Sequence, residues 1–378
     1  MIGLFPQIFL SSLTILACLN TSFSRTEEKQ ITNETIHLIN GQFPEHGKAF
    51  YKQQVESCRN HLSEDPKHLE FRNDLAAALI KLGRFEEALE EFSRIQQQHP
   101  GLYKTQANLG VLFKKRKQFD RAAEHIRQSL KIRPQGHLGL GDYYLRMLRW
   151  RDRLAQAQEG RPEINFLGLR YDAGPEEVAR SSLVNRTHLE TLIKADRHFP
   201  DTYLILGDLL LNEGEEQLAL RAYWRANTLD HPAPGVVRER IHSLYQTWKS
   251  RSKQTSGYIV EPRHQMNFQL TQELGAAVHW VQKFQEVEAE LLARGQEVDY
   301  QVVKNELTRR GVEKATFLHA GFVKGTSSSP GTLLFWILGM IAVIILAGMI
   351  AVMILALTGV YRVARFTVTS LWAFRVRS

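Results

Sequence analysis

Cysteine is nearly absent from this chain: its 378 residues include only Cys18 and Cys58. If the N-terminal stretch is removed on export, Cys58 stands alone and no intrachain disulfide framework is available. Catalytic signatures are missing too. There is no G-x-x-x-x-G-K-[ST], no H-E-x-x-H, no G-x-S-x-G and no C-x-x-C. Those absences exclude the nucleotide, zinc-protease, serine-hydrolase and dithiol sites that such spacings build. The fourteen histidines are scattered. Cys58 and His61 lie three apart on a predicted helix, with His68 beyond a proline. That is too few ligands for a metal, and the plainer reading is a half-buried thiol and two surface imidazoles. Gly321 to Gly325 lacks the strand and helix of a phosphate cradle. The reading is of a non-enzyme without cofactor or metal.

A strong excess of charge is lacking as well. The formal charge is +8, and four C-terminal arginines supply half of it. The remainder is too mild to argue for nucleic acid as a partner. What stands out is an uncharged run from Leu333 to Leu357. At about 1.5 Å per residue it reaches roughly 37 Å, enough to cross a ~30 Å hydrocarbon core with some tilt. We assign Leu333–Tyr361 to a single transmembrane helix. Arg362, Arg365, Arg375 and Arg377 follow with no acidic residue, the bias of a cytoplasmic flank. Ala347 and Ala351 form a small-xxx-small pair that would let two such helices touch and make a dimer.

At the other end, Leu4 to Leu19 is mostly apolar, and Ser22-Phe23-Ser24 supplies small residues at a signal-peptidase spacing. The n-region has no Lys or Arg, yet an apolar stretch of this length before a polar one predicts a signal peptide over 1–24. Ile15-Leu16-Ala17-Cys18 also resembles a weak lipobox, which would put a lipid on Cys18. The expected topology is an extracytoplasmic, periplasmic N-terminal domain, one span, and a basic cytoplasmic tail over 362–378.

The exported part carries an internal beat. Pro66, Pro100 and Pro134 fall thirty-four residues apart, and the text between them is self-similar. Leu75-Ala76, Leu79, Gly83, Ala88 and Phe92 lead to Pro100; Leu109-Gly110, Phe113, Ala122 and Ile126 lead to Pro134. A third copy reads Leu206-Gly207, Leu210, Gly214, Ala219, Tyr223 and Ala226, with Pro232 one residue late. The apolar spacing follows the helical period. Small residues at two offsets let paired helices approach, and large ones fill the groove against the next unit. This pattern resembles the tetratricopeptide repeat, a helix–turn–helix unit of that period. The expected fold class is all-α: a tetratricopeptide-type helical-hairpin solenoid plus the single transmembrane helix.

The repeat domain is expected over 25–249, clearest at 69–102, 103–136 and 200–233. Phe50 to Leu62 predicts a helical half-repeat, and Leu140-Gly141 with Tyr144 a further first helix out of phase. Residues 149–162 read as an extended helix or an irregular insertion. Leu167-Gly168, Tyr171 and Gly174 echo a repeat, followed by a helix through Leu189, Leu192 and Ala195. Val236 to Trp248 predicts a capping helix. Beyond it, 250–320 reads as a helical stalk or hairpin of unknown role. Within that region, 250–267 is expected to be a loop, and helices are expected over Leu270–Leu292 and 298–310. A Gly/Ser-rich tether is expected over 321–332.

The resemblance implies that a protein or peptide partner lies in a concave groove lined by the first helix of each repeat. The matching groove positions include Asn73, Lys81, Lys104, Asn108 and Lys115. Some family members grip a peptide's terminal carboxylates with a Lys/Asn clamp. Only Asn108 falls on a clamp position here, while Asn73 and Ala77 stand where Lys and Asn are needed. Lys114-Lys115-Arg116-Lys117 sits at the turn of the second repeat, as a solvated loop or as a contact for an anionic partner or lipid headgroup. Three functional readings are open. The first is a membrane-tethered interaction scaffold in a bacterial cell envelope. The second is a cytosol-facing, tail-anchored adaptor. The third is an enzyme with an unrecognised site in 250–320, where His264, His279 and His319 lie.

Overall fold

The computed structural model describes residues 34–136, 139–157, 162–254, 258–260, 262–314 and 322–324. The signal peptide expected over 1–24, Cys18, the transmembrane helix expected over Leu333–Tyr361 with its Ala347/Ala351 pair, and the tail expected over 362–378 lie outside them. Among the described residues no helix is long and apolar enough to cross a membrane.

Three helical hairpins occur where the repeat predicts them. They are α3 (Leu69–Lys81) with α4 (Phe85–Gln98), α5 (Tyr103–Lys115) with α6 (Phe119–Ile132), and α10 (Pro200–Asn212) with α11 (Glu216–Thr228). The same turn joins each pair. Gly83 and Gly214 take positive φ, and Lys117 stands at the equivalent place with φ +60°. The next amide closes each turn: Arg84 N–H donates to Leu79 O, Gln118 N–H to Phe113 O and Glu215 N–H to Leu210 O, at 2.8–2.9 Å. This left-handed stop satisfies carbonyls that the helix end leaves unpaired.

Close approach explains the small residues. A Cβ on Gly207 would sit 2.5 Å from the Tyr223 ring, and one on Gly110 would collide with Ile126. Both pairs belong to one hairpin, so the large residue of the second helix packs on the bare backbone of the first. In α3–α4 the same place holds Ala76 and Phe92, both fully buried.

The flanks agree in part. Helix α2 (Lys48–Glu64) packs on α3 as the expected half-repeat, and α7 (Gly141–Gln156) packs on α6. The echo at Leu167–Gly174 is not a repeat helix. Asn165 Oδ1 accepts from the Leu167 and Leu169 amides at 3.0 Å, and Ile164 bridges Arg170. A side chain that offers the backbone such bonds competes with the helix, and here it wins. Asp201 of α10 holds this loop by accepting from Phe166 N–H and from Tyr171 Oη–H, both at 2.6 Å. Helices α8 (Pro175–Arg180) and α9 (Arg186–Ala195) then lead into α10, on which both pack.

Helix α12 (Pro234–Gln254) outruns its expected end. Helix α13 (Arg263–Ala293) starts within the expected loop and spans 31 residues, about 46 Å. Helix α14 (Tyr300–Arg309) folds back on it around Trp280, Phe284, Val287, Leu291, Tyr300, Val303 and Leu307. Over 263–309 the two helices thus pack against each other. Two three-residue strands, Tyr258–Val260 and Phe322–Lys324, are the strand elements of the described residues, and the second falls in the expected tether. All fourteen described helices fall in one compact unit; a second unit holds Tyr258, Ile259 and Lys324 among the described residues.

An open stack of hairpins is not what results. A short first helix, α1 (Thr35–Asn40), packs on α9 and α11, and α13 packs on both α1 and α2. The start of the array is thus joined to its late repeats. Two buried polar contacts pin the closure. Arg221 of α11 forms a two-pronged ion pair with Glu273 at 2.7 and 2.8 Å, with side chains 3% and 6% exposed. Fifteen residues on, Glu288 accepts from His46 Nδ1 and, at 2.7 Å, from the Gly47 amide. The two carboxylates stand roughly 22 Å apart along one helix, so α13 acts as a strut.

Candidate functional site: the first-helix rim and the N-terminal segment

The sequence-derived groove positions do not form one open surface. Residues 73–80 of α3 and 105–114 of α5 are buried without a break, so neither helix keeps a wet inner face. Asn73 and Asn108 are buried, and Asn108 Nδ2 donates to Asn73 Oδ1 at 3.1 Å. Their amides join neighbouring repeats to each other. The rim stays accessible. Half-exposed Lys104 reaches Glu70 Oε1 at 2.9 Å, linking positions one repeat length apart. Lys81 is exposed, with Nζ 5.6 Å from the centre of the Tyr51 ring. Lys115 is exposed at the end of α5.

The dense basic run divides its duties. Lys114 is buried and pairs with Asp196 at 3.1 Å, with its Nζ 5.3 Å from the Tyr144 ring centre. Arg151 of α7 meets the same carboxylate at 3.0 Å. Burial alone would raise the Asp196 pKa, but the charges of Lys114 and Arg151 outweigh it and hold the group well below the carboxylate range. Arg116 pairs with Glu86 at 3.1 Å. Lys115 and Lys117 keep an outward position.

Cys58 is buried rather than half-buried, and burial followed by the nearby charge of Asp74 pushes its thiol up to about 12. A thiol so disposed is a packing group, not a nucleophile. His61 stacks on Phe71, and His68 accepts the Phe71 amide as the cap of α3. Among the described residues no cluster of three or more His, Cys, Asp or Glu is placed to hold a metal ion.

Sequence reasoning missed the segment before α2. Residues 34–46 carry Leu38, Ile39 and Phe43, all at most 1% exposed. Gly41, with φ +75°, ends α1, and the Gln42 amide donates back to His37 O at 2.8 Å. Arg197, just past α9, grips the residues after that turn. Its guanidinium lies 4.0 Å from the Phe43 ring centre, donates to Gly41 O at 3.3 Å and meets Glu45 at 3.4 Å. Thr35 donates to Glu190 at 2.6 Å and accepts from Arg186 at 2.9 Å. Burial, then Lys314, lowers the His37 pKa, so the ring stays neutral against Gln42, 3.0 Å away. Around Gly41 the match is imperfect: Asn40 Nδ2, Gln42 Nε2 and Arg225 Nε are buried without a partner. The only signal in the sequence is Leu38-Ile39 with Phe43, too short a pattern to show a period.

Two family models of the tetratricopeptide repeat match the chain, one over residues 55–109 and the other over 103–135. Residues 55–135, from α2 through α6, therefore match tetratricopeptide repeats, units that generally bind protein partners. Among curated proteins, none matches the chain.

Proposed function

We propose that this protein is a membrane-anchored scaffold that binds partner proteins in a bacterial cell envelope. The observation that carries the reading is the pairing of tandem tetratricopeptide repeats over 55–135 with the uncharged run Leu333–Leu357 in one chain. Such repeats recognise segments of other proteins on preformed helical surfaces. The run has the length and apolarity of a span, and the arginines after it favour a cytoplasmic tail. Because the inner positions of α3 and α5 are covered, the partner contacts the rim, where Lys81, Lys104 and Lys115 supply positive charge. Ala347 and Ala351 support dimerisation through the span.

Three measurements test this reading. Carbonate extraction should leave the intact chain in the membrane fraction. N-terminal sequencing of that material should find Met1 removed; an intact Met1 would favour the cytosol-facing adaptor. Full-length protein carrying Lys81→Glu, Lys104→Glu and Lys115→Glu should capture fewer membrane proteins than the unaltered chain. Equal capture of the same proteins would rule out the rim.

A further inference from the structure

The surface made by α9, the Arg197 turn and α11 already has a peptide on it. That peptide is the chain's own residues 34–46, whose Leu38, Ile39 and Phe43 join the main core, and three features mark how it is held. It is a six-residue helix with an irregular tail, too short to hold its shape without the surface it rests on. Its contacts are those of peptide recognition. An aliphatic pair, Leu38 and Ile39, is buried, an aromatic ring lies against Arg197, and that guanidinium also takes a main-chain carbonyl and a carboxylate. The fit is also incomplete. Asn40 and Gln42 each leave a buried amide nitrogen unmatched, and Arg225 Nε, on the receiving helix, faces no acceptor. A Cβ on Gly41 would stand 3.6 Å from Arg225 Nη2, which places that guanidinium against the turn between Asn40 and Gln42. Settled cores leave few such groups.

We propose that the α9–α11 surface is a second peptide-docking site and that residues 34–46 occupy it as a built-in stand-in. The true occupant is a partner segment of matching chemistry: two adjacent aliphatic residues, an aromatic four or five positions on, and a carboxylate two beyond that. An Asp or Glu at the place of Asn40 or Gln42 removes an unmatched donor and sets a carboxylate next to Gly41, whose backbone lies against the Arg225 guanidinium. A partner with that residue outcompetes the strap. The site is separate from the Lys81–Lys104–Lys115 rim, so it stands or falls independently of the scaffold reading above.

The test uses a fluorescent synthetic peptide of residues 34–46 and a second with Asn40→Asp, titrated with the full chain in detergent and read by anisotropy. The Phe43→Ala chain, its own strap loosened, should bind the peptide about tenfold more tightly than the unaltered chain, because less of the site is self-occupied. The acidic peptide should bind more tightly still, and Arg197→Glu should abolish the signal. The proposal is overturned if Phe43→Ala keeps its helical circular dichroism but takes up neither peptide, or if Arg197→Glu changes nothing. It is also overturned if loosening the strap yields a dimer that excludes the peptide, which would give the site to a second copy. Should Phe43→Ala fail to fold, hydrogen exchange on the unaltered chain decides. The Gly41 and Gln42 amides should exchange faster than those of Leu206 to Leu210 in α10; equal protection overturns the strap.

Discussion

Lys117 holds a backbone conformation that its counterparts Gly83 and Gly214 adopt without a Cβ. A left-handed residue with a side chain costs about 1 kcal/mol, and Lys117 is exposed with nothing to offset it. Lys117→Gly should therefore stabilise the protein by roughly that amount, measured as a rise in the denaturant midpoint at unchanged slope. Asp196 makes the opposite case. Its folded pKa is depressed, so its contribution is complete above the unfolded value near 4 and fades as pH falls through the folded one. Asp196→Asn leaves buried Lys114 without its anion and should cost roughly 3 kcal/mol at pH 7. The gap between variant and unaltered protein should narrow below pH about 4. A gap independent of pH would show that the carboxylate's charge is irrelevant.

At the scale of the element, each hairpin is a hydrophobic pair fitted around one small residue, Ala76, Gly110 or Gly207. Gly207 admits the Tyr223 ring, whose hydroxyl donates to Asp208 at 2.8 Å. Burial, then the charge of Asp208, raises the Tyr223 pKa well above its ordinary value, so the donor is retained at every physiological pH. A methyl group at Gly207 forces ring and backbone apart and should destabilise by about 1–3 kcal/mol. The reverse change Ala76→Gly in α3–α4 removes a methyl group and forces no ring aside. It should cost about 1 kcal/mol through helix propensity, with any cavity left beside Phe92 adding to it. Thermal unfolding of the two variants separates the mechanisms, since only the first should improve when Tyr223 is also trimmed to Leu.

For the whole molecule, closure by α13 alters how stability is shared. In an open solenoid each hairpin leans only on its neighbours, and damage stays local. Here α13 links α11 to the start of α2 through Glu273 and Glu288. Glu273→Gln removes the carboxylate charge that faces the buried Arg221 guanidinium, which keeps its bond to Gln217 O, and should cost about 3 kcal/mol. Replacing both partners, as in Arg221→Met with Glu273→Leu, should recover most of that. Hydrogen exchange gives the sharper outcome: amides of Val55 to Arg59 in α2 should lose protection together with those of α11. Loss confined to α11 and α12 would mean that the strut does not couple the two ends.

Local patterning was enough to place the hairpins, because helix period, close-approach residues and left-handed stops all act within one repeat length. Even the irregular stop at Lys117 sits at the right offset in the text. Spacing misled at Leu167–Gly174, where leucine and glycine imitate a repeat while Asn165 bonds the backbone out of the helix. The rim lysines were legible as helix-end positions, but their neighbours were not. Asn73 and Asn108 are polar residues that the sequence places on a wet groove, and packing turned them inward onto each other. Nothing local announces that residues 34–46 lie on α9 and α11, or that Glu288 meets His46 across 242 positions of chain. Those contacts depend on where distant helices come to rest. The covalent order of residues thus determined the repeat and its turns, whereas tertiary packing alone decided that the array closes and that its inner face is covered. The physical reason is range: backbone preference acts over a few residues, whereas burial rewards whichever surfaces the folded helices bring together.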